Sequence, residues 1–106
     1  LINIRYDKEK FCLELEGHAG AGIPGQDLVC CAASILVYTL AANVRRMRHC
    51  GWLEEARICL APGDARISCS PHERARDRVA ARVDAICLGF RMLEKEYPEF
   101  VKFTVR

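Results

Sequence analysis

Apolar and polar residues alternate in two short runs at the head of the chain, Ile2-Asn3-Ile4-Arg5-Tyr6 and Phe11-Cys12-Leu13-Glu14-Leu15-Glu16. The polar Asp7-Lys8-Glu9-Lys10 lies between them, so the pair predicts a β-hairpin. Phe11, Leu13 and Leu15 then face the core, and Cys12 shares the opposite, less buried face with Glu14 and Glu16. Further on the period lengthens. Val29, Ala33, Leu36, Leu40, Val44 and Met47 recur at steps of three and four, with Ala32 at the margin and Asn43 just off the stripe. This predicts an amphipathic helix over about 28–49. Arg45, Arg46, Arg48 and His49 suit the negative end of its dipole, and Gly51 is placed to be its C′ residue. Residues 52–60 and 65–70 read as strands joined around Ala61-Pro62-Gly63-Asp64, a strong turn signal. Ser70-Pro71-His72-Glu73 has the form of a capping box with Pro at the first helical position. The helix it opens carries Val79, Val83, Ile86, Phe90, Leu93 and Tyr97 as its stripe, with Cys87 beside it. Pro98 stops that helix, and residues 100–105 read as a closing strand. The order ββαββαβ predicts an α+β fold in which a largely antiparallel sheet packs with two long helices.

At 106 residues the chain is long enough for one core, and no repeat, linker or low-complexity segment argues for a second domain, so residues 1–106 are expected to form one. Sixteen basic and 14 acidic side chains leave a net charge of +2, which names no partner. The longest apolar stretch, residues 28–42, is interrupted by Ser34, Tyr38 and Thr39 and reads as a buried helix rather than a membrane span. No secretory signal is legible, and the lack of an initiating Met points to a trimmed or incomplete N-terminus. Seven cysteines is an odd number, so at least one thiol stays free in a monomer. A reducing, cytoplasmic location without a disulfide framework is expected, and Cys59 and Cys69 read as plain strand residues. There is no Cys-x-x-Cys, and His18, His49 and His72 are scattered, so neither a metal nor a cofactor is expected.

The chemistry concentrates between the hairpin and the first helix. Gly20, Gly22, Pro24 and Gly25 exclude regular structure over residues 19–26. That loop is either a flap that closes over a peptide or a simple connection; it carries no phosphate-loop pattern. Asp27 precedes the helix formers and reads as the N-cap, which puts Cys30 at N3. There the free N–H groups and the dipole favour a thiolate, while the Asp27 carboxylate opposes this at longer range. The loop is long enough to bring His18 against Cys30, a base and a thiol within reach of each other. Ser34 falls one turn after Cys30 on the same face, where it either touches that pair or bonds back to the helix. Each residue also has a bland reading: a packed thiol, a structural imidazole, a capping carboxylate. The capping box accounts for His72. Arg74, Arg78 and Arg82 form a stripe that is either a solvated face or a contact for RNA or an acidic partner.

Gly17-His18-Ala19, the Gly-rich loop and Asp27-Leu28-Val29-Cys30-x-Ala32-x-Ser34 together resemble the signature of the ribosomal-processing cysteine protease family, Prp. The likeness extends to length and element order over nearly the whole chain. It implies that His18 and Cys30 form a catalytic dyad, with Gly17, Asp27 and Ser34 on motif positions. Cys31 stands where the family pattern has a small residue such as Ala. The resemblance further implies a homodimer that removes the N-terminal extension of a large-subunit ribosomal protein. In that reading His18 takes the Cys30 proton, sulfur attacks the scissile carbonyl, and the proton passes to the leaving amine. Backbone N–H groups around Cys30 and Cys31 hold the oxyanion, and the peptide lies extended under Gly20, Gly22 and Gly25. Two other classes stay open. One is a thiol redox protein using Cys30 and Cys31, although adjacent cysteines form only a strained disulfide. The other is a non-catalytic module that docks on ribosomal particles through its arginines. No membrane partner is expected, and direct contact with RNA is left undecided.

Overall fold

The computed structural model describes residues 1–18 and 24–106, with residues 24–27 as backbone alone. The two alternating runs form the predicted hairpin. β1 (Ile2–Asp7) and β2 (Cys12–Glu16) pair antiparallel with Ile4 opposite Leu15 and Tyr6 opposite Leu13. An Asp7 carboxylate oxygen accepts the N–H groups of Glu9 and Lys10 at 3.1 and 3.2 Å, which fixes the turn, and Phe11 closes it at φ 49. Then follow α1 (Pro24–His49), β3 (Leu53–Ala61), β4 (Asp64–Pro71), a 3₁₀ turn over Glu73–Ala75, α2 (Arg76–Glu96) and β5 (Val101–Val105).

The five strands form one sheet in the order β3-β4-β2-β1-β5. The β1–β5 pair is parallel and the other pairs are antiparallel, so the α+β expectation with a largely antiparallel sheet holds. Ile4, Leu13, Ile67, Val101 and Phe103 on the sheet meet Val29, Val37, Leu40, Val44 and Met47 of α1 and Val79, Val83 and Phe90 of α2 in one buried cluster. The helices run antiparallel. Leu36 lies against Gly89, Asn43 meets Arg82 at 3.4 Å, and the Gly51 carbonyl accepts from Arg74 at 3.3 Å. An 18-residue window within residues 28–49 has a mean hydropathy of 1.7, and the helix is long enough to cross a bilayer, yet its inner stripe is packed into this core.

Of three helix ends, one agrees with the pattern reading and two differ. Gly51 behaves as predicted: it is at φ 78 and donates to the Arg48 carbonyl, while the Trp52 N–H bonds the Met47 carbonyl, a Schellman end. The start of α1 is earlier than position 28. Pro24, whose fixed φ and missing N–H suit a first helical position, opens the helix instead of punctuating the loop. Asp27 is therefore inside the first turn and does not cap it, and Cys30 lies in the second turn, not at N3. The capping box at Ser70–Glu73 does not form either. β4 runs on to Pro71, which pairs with Leu53, and the His72 N–H donates to the Trp52 carbonyl at 2.9 Å. The ladder holds these residues, so the 3₁₀ turn starts without a side-chain cap. Cys12, expected on the less buried face, is in fact buried. Beneath this corner Arg78 and Arg82 stack on the Trp52 ring at 4.9 and 5.1 Å, so that, with Arg74 on the Gly51 carbonyl, all three arginines of the stripe have intramolecular partners.

Candidate functional site

Three faces enclose a cavity of about 430 Å³. Its floor is Ile2, Leu15 and Ala65 from the sheet; one wall is the flank of α1 that carries Cys30, Ser34 and Tyr38 at successive turns; the other is Leu60 with the Pro62-Gly63 turn. His18 and Gly17 close the end. Spacing by four explains the α1 wall, because residues i, i+4 and i+8 stay on one side of a helix. That flank faces away from α2, which Leu36 touches on the other side.

His18 is placed by backbone, not by side-chain partners. β2 pairs with β4 down to Glu16 opposite Asp64, and the Gly17 N–H continues the ladder to the Gly63 carbonyl at 2.9 Å. The His18 carbonyl accepts from the Leu1 nitrogen at 2.9 Å. Gly17 sits at φ 106, and a Cβ there would fall 2.2 Å from the Leu1 carbonyl oxygen, so conformation and space both demand glycine. Gly63 is at φ 70 after Pro62, the combination of a type II turn. A Cβ on Gly63 would come within 2.3 Å of His18 Nε2 and 2.5 Å of its Cε1. The imidazole thus lies directly on the bare face of the turn.

Of the residues singled out in the sequence, the fold gathers Gly17, His18, Cys30 and Ser34 around one cavity. Cys30 is partly buried, whereas Cys31 is exposed and does not line the cavity. A helix turns about 100° per residue, so the doublet points two ways. Gly25 and Asp27 belong to the first turn of α1, and Gly20 and Gly22 lie outside the described residues. The N–H groups of Cys30 and Cys31, deep enough in α1 to bond the preceding turn, are not free for an oxyanion; the free donors in the first turn of this helix belong to residues 25 and 26. Pattern reading missed Gly63, Leu60, Tyr38 and the apolar floor. The Pro-Gly turn was legible as a turn, but only the β2–β4 register brings it under His18.

The remaining thiols separate by burial. Cys69 and Cys87 are buried, which pushes their thiols up to about 11 and about 12, with Asp84 adding to the effect at Cys87. Both are packing residues. His72 faces Glu54 at 3.4 Å, remote from the cavity lining. Among the described residues no cluster of His, Cys, Asp or Glu could hold a metal ion.

Comparison with known proteins gives this geometry a context. The model of the family described as cysteine protease Prp matches residues 1–102. Two solved structures of a ribosomal processing protease Prp from S. aureus are similar in fold. The one with a covalently linked product peptide has a TM-score of 0.73 at 19% identity, covering 100% of both chains. The one with a substrate peptide has a TM-score of 0.71 at 19% identity, covering 99% of this chain and 97% of that one. SMU.848 from Streptococcus mutans matches with a TM-score of 0.67 at 25% identity, over 98% of this chain and 90% of that one. No curated protein matches the sequence. With the family model spanning almost the whole chain, this protein belongs to the Prp family and is a cysteine protease.

Proposed function

We propose that this protease removes the N-terminal extension of a large-subunit ribosomal protein, with Cys30 as nucleophile and His18 as its base. The observation that carries the reading is that His18 and Cys30, twelve positions apart in sequence, line the same cavity. His18 accepts the Cys30 proton, sulfur attacks the scissile carbonyl, and the imidazolium protonates the departing amine; water then releases the acyl group from sulfur with His18 again as base. The mostly apolar floor and walls fit an apolar side chain next to the scissile bond. Gly17 and Gly63 act by making room for the His18 backbone and ring, Ser34 lies on the cavity wall, and the first turn of α1, which contains Gly25 and Asp27, offers the free N–H groups of residues 25 and 26. Gly20 and Gly22, for which the sequence leaves open a role in covering the peptide, lie outside the described residues. The S. aureus relative was solved with a substrate peptide and with a covalently linked product peptide, which supports a peptide ligand here.

Cleavage of a synthetic peptide spanning the extension and the mature N-terminus tests the reading. Cys30→Ala and Cys30→Ser should fold and lose turnover, whereas Cys31→Ala should retain it; turnover by Cys30→Ala would overturn the assignment. The split orientation of Cys30 and Cys31 speaks against the redox alternative. We further propose a cytoplasmic homodimer. Leu28, Ile35 and Tyr38 on α1 and Leu88 and Met92 on α2 are each more than half exposed and all face away from the sheet, an apolar surface suited to a second copy. Ile35→Glu with Met92→Glu should convert the dimer to monomer in sedimentation, and a wild-type chain that is monomeric at micromolar concentration would contradict it.

A further inference from the structure

The sheet has two edges, and they are finished differently. β5 is short, carries an exposed Lys102, and its outward Phe103 N–H donates to a Glu94 carboxylate oxygen of α2 at 2.7 Å. That edge is blocked in the ways that keep strands from pairing with other chains. β3 is blocked over one half only. Its first residues contain Glu54 and Glu55 and an irregularity in register between Leu53 and Glu55. From Ala56 to Ala61 the register is unbroken, and Ile58-Cys59-Leu60-Ala61 contains no charge and no proline.

Backbone polarity along this half follows from the turn. With Pro62-Gly63 as a two-residue loop, Ala61 and Asp64 form the first bonded pair, so Ala61, Cys59 and Arg57 bond to β4. The N–H and C=O groups of Leu60 and Ile58 therefore point out of the sheet. Among the described residues no hydrogen bond is made to them. This open stretch runs into the site: Leu60 and Ala61 line the cavity that holds His18 and Cys30, on the flank of α1 facing away from α2.

We infer that the protease binds its substrate as an added strand on β3, with Ile58 and Leu60 hydrogen-bonded to an extended peptide whose continuation enters the cavity beside Cys30. An undefended strand edge is an aggregation hazard, and here it is confined to the half that adjoins the cavity. Main-chain pairing supplies affinity that is indifferent to side chains, and the apolar cavity supplies selection. This rests on the proteolytic reading above, but it fails separately from it.

The test is amide hydrogen exchange by NMR on the Cys30→Ala chain, free and with the synthetic peptide spanning the extension junction. The Ile58 and Leu60 amides should exchange fast in the free chain and slow by at least about tenfold on binding, while Arg57 and Cys59, already in the ladder, stay unchanged. Methylating the peptide nitrogens singly should raise KM at every second residue. If the peptide shifts the Ala33 and Ser34 resonances yet leaves Ile58 and Leu60 exchanging freely, strand addition is wrong and the protease reading stands. If both amides are already protected in the free chain, the edge is occupied by a second copy and the proposal falls. If wild-type protein neither binds nor cleaves the peptide, both readings fall together.

Discussion

His18 owes its position to the absence of atoms elsewhere. Gly63 presents a bare α-carbon to the imidazole, so Gly63→Ala puts a methyl where the ring lies and also strains a residue at φ 70. The ring is the movable partner and should swing out of the cavity. Turnover is expected to fall tenfold or more, a barrier rise of about 1.4 kcal/mol or above, mainly in kcat. Gly63→Asn, which tolerates the left-handed backbone but still carries a Cβ, should behave alike, whereas Pro62→Ala should be close to wild type. Full activity in Gly63→Asn would show that the ring does not work from that position. Thiol exposure gives a second residue-level expectation. A maleimide at neutral pH should label exposed Cys31, Cys50 and Cys59 readily and leave buried Cys69 and Cys87 unlabelled until the chain unfolds. Peptide mapping by mass spectrometry reads this directly.

At the scale of elements, glycines separate conformation from packing. Gly51 ends α1 at φ 78, and a Cβ there would meet nothing within 4 Å, so Gly51→Ala should cost about 1–2 kcal/mol through the backbone alone. Gly89 has an ordinary helical backbone, but a Cβ would stand 2.6 Å from Leu36 Cδ2. Gly89→Val should therefore lower stability by about 1–3 kcal/mol by forcing the helices apart. Urea unfolding of both variants checks the two causes, and a neutral Gly89→Val would mean that the helices are not in contact there. Periodicity was a good guide where burial alone decides: Val29, Ala33, Leu40, Val44 and Met47 on α1, and Val79, Val83, Ile86, Phe90 and Leu93 on α2, all reach the core. It misled where local signals have two uses. Pro24 serves a loop or a helix start, and Ser70-Pro71-His72-Glu73 serves a cap or, as β3 pairing dictates, a strand end. Gly63 was invisible as a site residue because its importance comes from β4 lying beside β2, a pairing that no local pattern encodes.

For the molecule as a whole, alkaline pH should be the weak side. Burial, helped by Asp84 at Cys87, holds the Cys69 and Cys87 thiols at about 11 and about 12 against an ordinary 9.0, and burial likewise pushes the Tyr6 phenol upward. Between pH 9.0 and about 12 the unfolded chain has released protons that the folded chain retains, so unfolding is favoured increasingly as pH rises through this window. Below it these groups give no slope. Urea midpoints from pH 8 to 11 should fall in wild type and fall less in Cys87→Ala after allowance for its lower starting stability; parallel slopes would contradict the assignment.

Whether the cavity is where peptide bonds are cut is tested most directly by a covalent trap. A peptide ending at the cleavage point as a chloromethyl ketone, incubated with the native protein and mapped by mass spectrometry, should alkylate Cys30 alone, and His18→Ala should suppress the adduct. Labelling of Cys31, or equal labelling of Cys31, Cys50 and Cys59 with Cys30 spared, would contradict the account.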